Sequence, residues 1–134
     1  MEKRKSFETL LKRLQEPRRF IQALIGPRQV GKTTLANQVA NELKISSQYI
    51  SADLATLQDI SWLEQQWDVA RELAKLEGKA LLIIEEIQKI PHWSDMIKKL
   101  WDEDTAHHLN LRVMILGSSS LLIQTGLGES LAGR

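Results

Sequence analysis

Phe20-Ile21-Gln22-Ala23-Leu24-Ile25-Gly26-Pro27-Arg28-Gln29-Val30-Gly31-Lys32-Thr33-Thr34-Leu35 decides the fold. Its first six residues are a short, largely apolar run that reads as a buried strand. Gly26 to Thr33 fits the pattern Gly-x-x-x-x-Gly-Lys-Ser/Thr. Beyond it, Leu35, Val39, Ala40 and Leu43 fall on one face of a helix over 32–43. Strand, glycine loop and helix in that order build a phosphate cradle. Glycines let the backbone curl until its N–H groups point at phosphate oxygens. The helix aims its positive end at the same point. Gly26, Pro27, Arg28, Gln29, Val30, Gly31, Lys32, Thr33 and Thr34 are therefore the candidate nucleotide contacts. Lys32 places a point charge on the β- and γ-phosphates, and Thr33 offers a hydroxyl to Mg²⁺.

Working outward, the same alternation continues. Gln48–Ser51 is a second strand candidate. Ile60, Leu63, Trp67, Ala70 and Ala74 make a helical stripe through 59–76, stopped by Gly78. Ala80–Ile84 is a third strand, apolar on both faces. After Pro91, the spacing of Trp93, Ile97, Leu100 and Trp101 predicts a helix, and Leu111–Leu116 predicts a fourth strand. A last helix is expected to start within Ser118–Ser120. Upstream, Ser6 is a candidate N-cap, and Phe7, Leu10, Leu11 and Leu14 predict a helix over 6–16 that Pro17 ends. Strands apolar throughout and separated by helices imply an α/β fold with a parallel sheet covered on both faces. The expectation is a three-layer P-loop core over 20–134, preceded by an N-terminal helix and linker over 1–19.

The third strand ends in Glu85-Glu86. An acidic residue at such a strand tip holds the Mg²⁺ shell in P-loop proteins, and a neighbouring carboxylate can orient or deprotonate the attacking water. Glu85 is thus assigned to the metal and Glu86 to the water. No Asn-Lys-x-Asp motif for reading a guanine base is present. Gly126-Leu127-Gly128 lacks the third glycine of a dinucleotide fingerprint.

Composition agrees with a single ordinary domain. The 134 residues are 43% apolar and 26% charged, which excludes disordered and collagen-like chains. There is no cysteine, so disulfides, thiol nucleophiles and thiolate metal sites are excluded. The net charge of +1 hides an uneven distribution. Residues 1–19 carry seven basic and three acidic side chains, so a solvated helix face and an arm for nucleic acid or an acidic partner are both open readings. No signal-like or membrane-spanning run is present, and a cytoplasmic, membrane-free protein is the expectation. Asp53 is read as the cap of the following helix. Trp93 and Trp101 are read as core, and Trp62 as a residue beside the apolar stripe of its helix. His107-His108 is rejected as a metal site, because adjacent helix residues diverge and no ligand at metal spacing completes the set.

Taken together, Gly26–Leu35, the run Glu85-Glu86-Ile87-Gln88-Lys89-Ile90-Pro91-His92-Trp93, Gly117-Ser118-Ser119 and Ser130-Leu131-Ala132-Gly133-Arg134 resemble a family of prokaryotic AAA-type ATPases. The resemblance covers residues 3–134 and implies an ATP-binding core with sheet order 5-1-4-3-2. It implies that Glu86 is the catalytic base and that Ser118, or else Ser119, senses the γ-phosphate; a helix N-cap is the competing role for either serine. Arg134 would be a phosphate-facing or intersubunit arginine, or simply solvated. Two departures stand out. The family has Asp where this chain has Glu85, so Mg-ATP binding with hydrolysis and a nucleotide-gated module without turnover both remain open. The chain also stops at Arg134, before the fifth strand, helical lid and C-terminal region that the resemblance implies. A truncated or split reading frame, or an excised fragment, is therefore expected, with an unfilled sheet edge that invites self-association.

Overall fold

In a computed structural model of the chain, residues 21–25, 32–54 and 59–117 are described. Four strands, β1 (Gln22–Ile25), β2 (Ser46–Ser51), β3 (Ala80–Glu85) and β4 (Leu111–Gly117), alternate with three helices, α1 (Lys32–Leu43), α2 (Ile60–Glu77) and α3 (Trp93–Ala106). Among the described residues the sheet order is β1-β4-β3-β2 and every pairing is parallel. This matches the implied order 5-1-4-3-2 over the four strands described. The elements lie within two residues of where periodicity put them, apart from two short 3₁₀ turns, Ala52–Leu54 and Ile87–Lys89, that it did not anticipate. The helix expected over 6–16 and the one expected from Ser118 lie outside the described residues.

The pleat explains the three layers. Ala80, Leu82 and Ile84 of β3 and Leu111, Val113 and Ile115 of β4 face one way, into a core shared with Leu63, Trp67, Ala70 and Ala74 of α2 and Trp93, Ile97, Leu100 and Trp101 of α3. The intervening residues, Leu81, Ile83, Met114 and Leu116, face the other way and pack on Leu35, Ala36, Val39 and Ala40 of α1. β3 thus needs apolar side chains at every position, which is why its run is unbroken. Burying each large side chain stabilises the fold by roughly 1.5–3 kcal/mol. Trp93 and Trp101 are buried as expected, and Trp62 is partly buried against the same core.

One polar cluster lies within this packing. Asp104 occupies the next position on the apolar stripe of α3 and is buried. Its carboxylate accepts hydrogen bonds from Trp67 Nε1 at 2.8 Å and Arg71 Nε at 2.6 Å. Arg71 also donates to the Leu100 carbonyl at 3.1 Å and pairs with Glu103 at 3.2 Å. Burial works against the Arg71 charge, but Asp104 and Glu103 outweigh it and raise the guanidinium pKa above its ordinary value.

Helix ends follow capping chemistry. α2 is capped by Asp59, whose side chain accepts from Trp62 N at 2.9 Å, and it ends at Gly78 in the left-handed region (φ 85°). The capping role read for Asp53 is therefore corrected. Asp53 lies in the 3₁₀ turn after β2, too far upstream to cap α2, and its carboxylate pairs with Lys89 instead. His107 and His108 close α3 through backbone bonds to Glu103 and Thr105.

Candidate nucleotide site

In an all-parallel sheet the C-terminal strand ends share one edge, and ligands bind in the crevice outside it. β1 reaches that edge at Ile25 and α1 starts at Lys32, so the glycine loop spans strand end to helix start. Gly26–Gly31 lie outside the described residues, as do Ser118, Ser119 and Arg134. Lys32 and Thr33 form the first turn of α1, and Thr34 beside them is exposed. α1 therefore points its N-terminal amides at the end of the loop.

β3 brings the carboxylates to the same edge. Leu24 of β1 is level with Leu116 of β4, which is level with Glu85 of β3. Two strand spacings, about 10 Å, therefore separate the Glu85 backbone from the end of β1. Glu85 is half-buried at the tip of the strand, beside buried Ser51 of β2, and none of the described ion pairs occupies it. A half-buried carboxylate at this strand end fits a hard divalent cation, which takes oxygen ligands.

Glu86 differs from its neighbour in every respect. The chain leaves the sheet there through the left-handed region, at φ 58° and ψ 38°. That conformation costs a residue with a Cβ about 1–2 kcal/mol, and such strain collects at functional positions. Glu86 N donates to the Leu116 carbonyl at 2.9 Å, tying the turn to β4, and the side chain is buried. Its carboxylate accepts a hydrogen bond from Gln88 Nε2.

The turn that follows is held by its apolar positions. In a 3₁₀ turn residues three apart stack on one side. Ile87 and Ile90 are both fully buried in the core. Lys89 N donates to Glu86 O at 3.2 Å and Ile90 N to Ile87 O at 3.0 Å. With the isoleucines inward, Lys89 reaches Asp53 in the turn after β2, and Asp53 N donates to Ser51 Oγ at 3.2 Å. The ends of β2 and β3 are thereby stapled on the site edge. Sequence reasoning gave Gln88 and Lys89 no part in forming the site, because a three-residue turn is too short to show a period.

A family described as an AAA domain (AAA_14) matches residues 18–134. The chain belongs to that AAA-domain family. The domain is also similar to an uncharacterized protein of Methanocaldococcus jannaschii, MJ1637, at 29% identity over 124 residues, covering 87% of this chain and 25% of that protein. The chain thus spans about a quarter of this curated relative. Among solved structures, it resembles Cdc6p from Pyrobaculum aerophilum (TM-score 0.66, 12% identity, 93% of this chain and 42% of that one). It also resembles the Thermotoga maritima RuvB Holliday junction branch migration motor (TM-score 0.58, 23% identity, 90% of this chain and 39% of that one). At these identities the likeness shows the shared P-loop α/β fold. Among the described residues, no helix of this AAA domain is long and apolar enough to cross a membrane.

Proposed function

We propose that this AAA domain binds Mg-ATP at the junction of β1 and α1 and hydrolyses it by attack of water on the γ-phosphate. The observation that carries the reading is the convergence of the end of β1, the α1 N-terminus and the Glu85-Glu86 strand tip on one edge of the sheet. Lys32 and the loop amides hold the β- and γ-phosphates. Thr33 and Glu85 are the residues that would hold Mg²⁺, which when bound neutralises charge on the phosphate oxygens. Glu86 orients the water and takes its proton, and Ser118 contacts the γ-phosphate. The buried surroundings of Glu86 exclude competing solvent.

The test is equilibrium ATP binding and phosphate release by the purified chain, with Lys32→Ala as control. Lys32→Ala is expected to weaken ATP binding about 10- to 100-fold, the loss of one charge-assisted contact. Binding indifferent to Lys32 refutes the assignment.

A second reading, binding without turnover, is favoured by Glu85. Its extra methylene displaces the carboxylate, and octahedral Mg²⁺ tolerates misplacement poorly. Glu85→Asp is expected to raise phosphate release several-fold, roughly the effect of 1 kcal/mol at the transition state. Unchanged turnover shows that Glu85 already places the metal well. ATP binding with no phosphate release from either form favours the gated module. The proposed self-association, a further C-terminal region and nucleic-acid contact by the basic segment 1–19 are separate questions. A DNA affinity that falls steeply with salt, and that depends on Lys3, Arg4 and Lys5, would support the last of these.

A further inference from the structure

We propose that Gln88 is a positioning residue for the Glu86 carboxylate, an inference that rests on the hydrolytic reading above. Gln88 lies two residues past Glu86, and its Nε2 donates to Glu86 Oε2. Only this orientation of the amide works, because a reversed amide would set its oxygen against a carboxylate. Gln88 Oε1 is then buried on the opposite side, with no hydrogen-bond partner among the described residues. An unpaired buried acceptor is costly. The amide therefore has one half committed to Glu86 and one half able to accept from a donor that arrives at the site.

The turn gives Gln88 no freedom to do otherwise. Ile87 and Ile90 fix the backbone by burial on both sides of it. Lys89, the one cation in the turn, is held by Asp53. Glu86 therefore receives a neutral donor from the turn rather than an ammonium. A neutral amide fixes the direction of a carboxylate without cancelling the charge that a base requires. A glutamate carboxylate can turn about its side-chain bonds, and the Gln88 hydrogen bond favours one direction. Holding the carboxylate is worth rate and not affinity, because the role assigned to Gln88 runs through Glu86 and the water rather than through the phosphates.

The test uses Gln88→Met, which keeps length and volume and removes the donor. Turnover at saturating ATP is expected to fall at least tenfold, with the ATP dissociation constant within about twofold of wild type. Turnover within twofold overturns the proposal. So does a parallel loss of affinity and turnover, which marks a general packing role. A second readout needs neither activity nor this variant. In the nucleotide-free chain, the Gln88 side-chain amide resonances are expected to shift toward free-glutamine positions in Glu86→Ala; unchanged resonances overturn the contact. Glu86→Gln separates the two claims. If it keeps full turnover, the assignment of Glu86 as base fails and the role of Gln88 falls with it. If it loses turnover while Gln88→Met does not, only the role of Gln88 fails.

Discussion

Asp104→Ala is expected to lower the unfolding free energy by about 3–5 kcal/mol, the usual effect of removing one partner from a buried ion pair. The side chain is 3% exposed and accepts from both Trp67 and Arg71. Alanine would leave the indole N–H of Trp67 buried without this partner. It would also leave the Arg71 guanidinium, at 19% side-chain exposure, leaning on Glu103 and Asp68, which are 44% and 62% exposed. Those outer contacts sit in high dielectric and contribute little. Asp68→Ala should therefore change stability by less than about 0.5 kcal/mol. Urea unfolding checks both. With a slope of about 1–3 kcal/mol per molar, the midpoint of Asp104→Ala should fall by at least about 1 M. A loss under about 1 kcal/mol would mean that the pair contributes no more than an exposed one does.

Glu86→Gln is expected to reduce turnover by about 10²–10⁴, the range over which a positioned acid or base accelerates a reaction. Affinity for ATP should stay within a few-fold. The substitution keeps shape and backbone, and its amide oxygen can still accept from Gln88 Nε2, so the turn survives. What disappears is the basicity. Phosphate release measured beside equilibrium nucleotide binding separates the effects. Turnover within threefold of wild type would move the base elsewhere. Loss of affinity in step with turnover would mean that Glu86 supports the loop rather than the water.

The sheet was legible because β3 buries both faces and carries no polar residue until it leaves the core at Glu85, and β4 departs from that pattern at the half-buried Arg112. The helices were legible because each packs a single stripe, as Leu63, Trp67, Ala70 and Ala74 do on α2. The tips of the strands were less so. Asp53 and Asp59 are equally good caps in isolation, and only the length of the loop before α2 decides between them. The 3₁₀ turn at Ile87 is too short to establish a period, so Gln88 entered only as part of the Glu85–Trp93 run, with no role of its own. Asp104 was hidden for a different reason. Its partners Trp67 and Arg71 lie on another helix, and a charge on an apolar stripe reads as an anomaly until its partner is known. The sequence placed Glu85 and Glu86 together at the end of the third strand, and the backbone separates them: the first ends the strand and the second begins the turn.

The positive φ at Glu86 sets stability and chemistry against each other at a single codon. Glycine would relax that backbone and recover roughly 1 kcal/mol, yet it would delete the carboxylate on which hydrolysis is proposed to depend. Any redesign ranked by thermal robustness alone would be drawn to position 86 and would remove the proposed base there. The strained backbone thus carries the proposed base at a cost that the chain also bears at Lys44, His92 and His108.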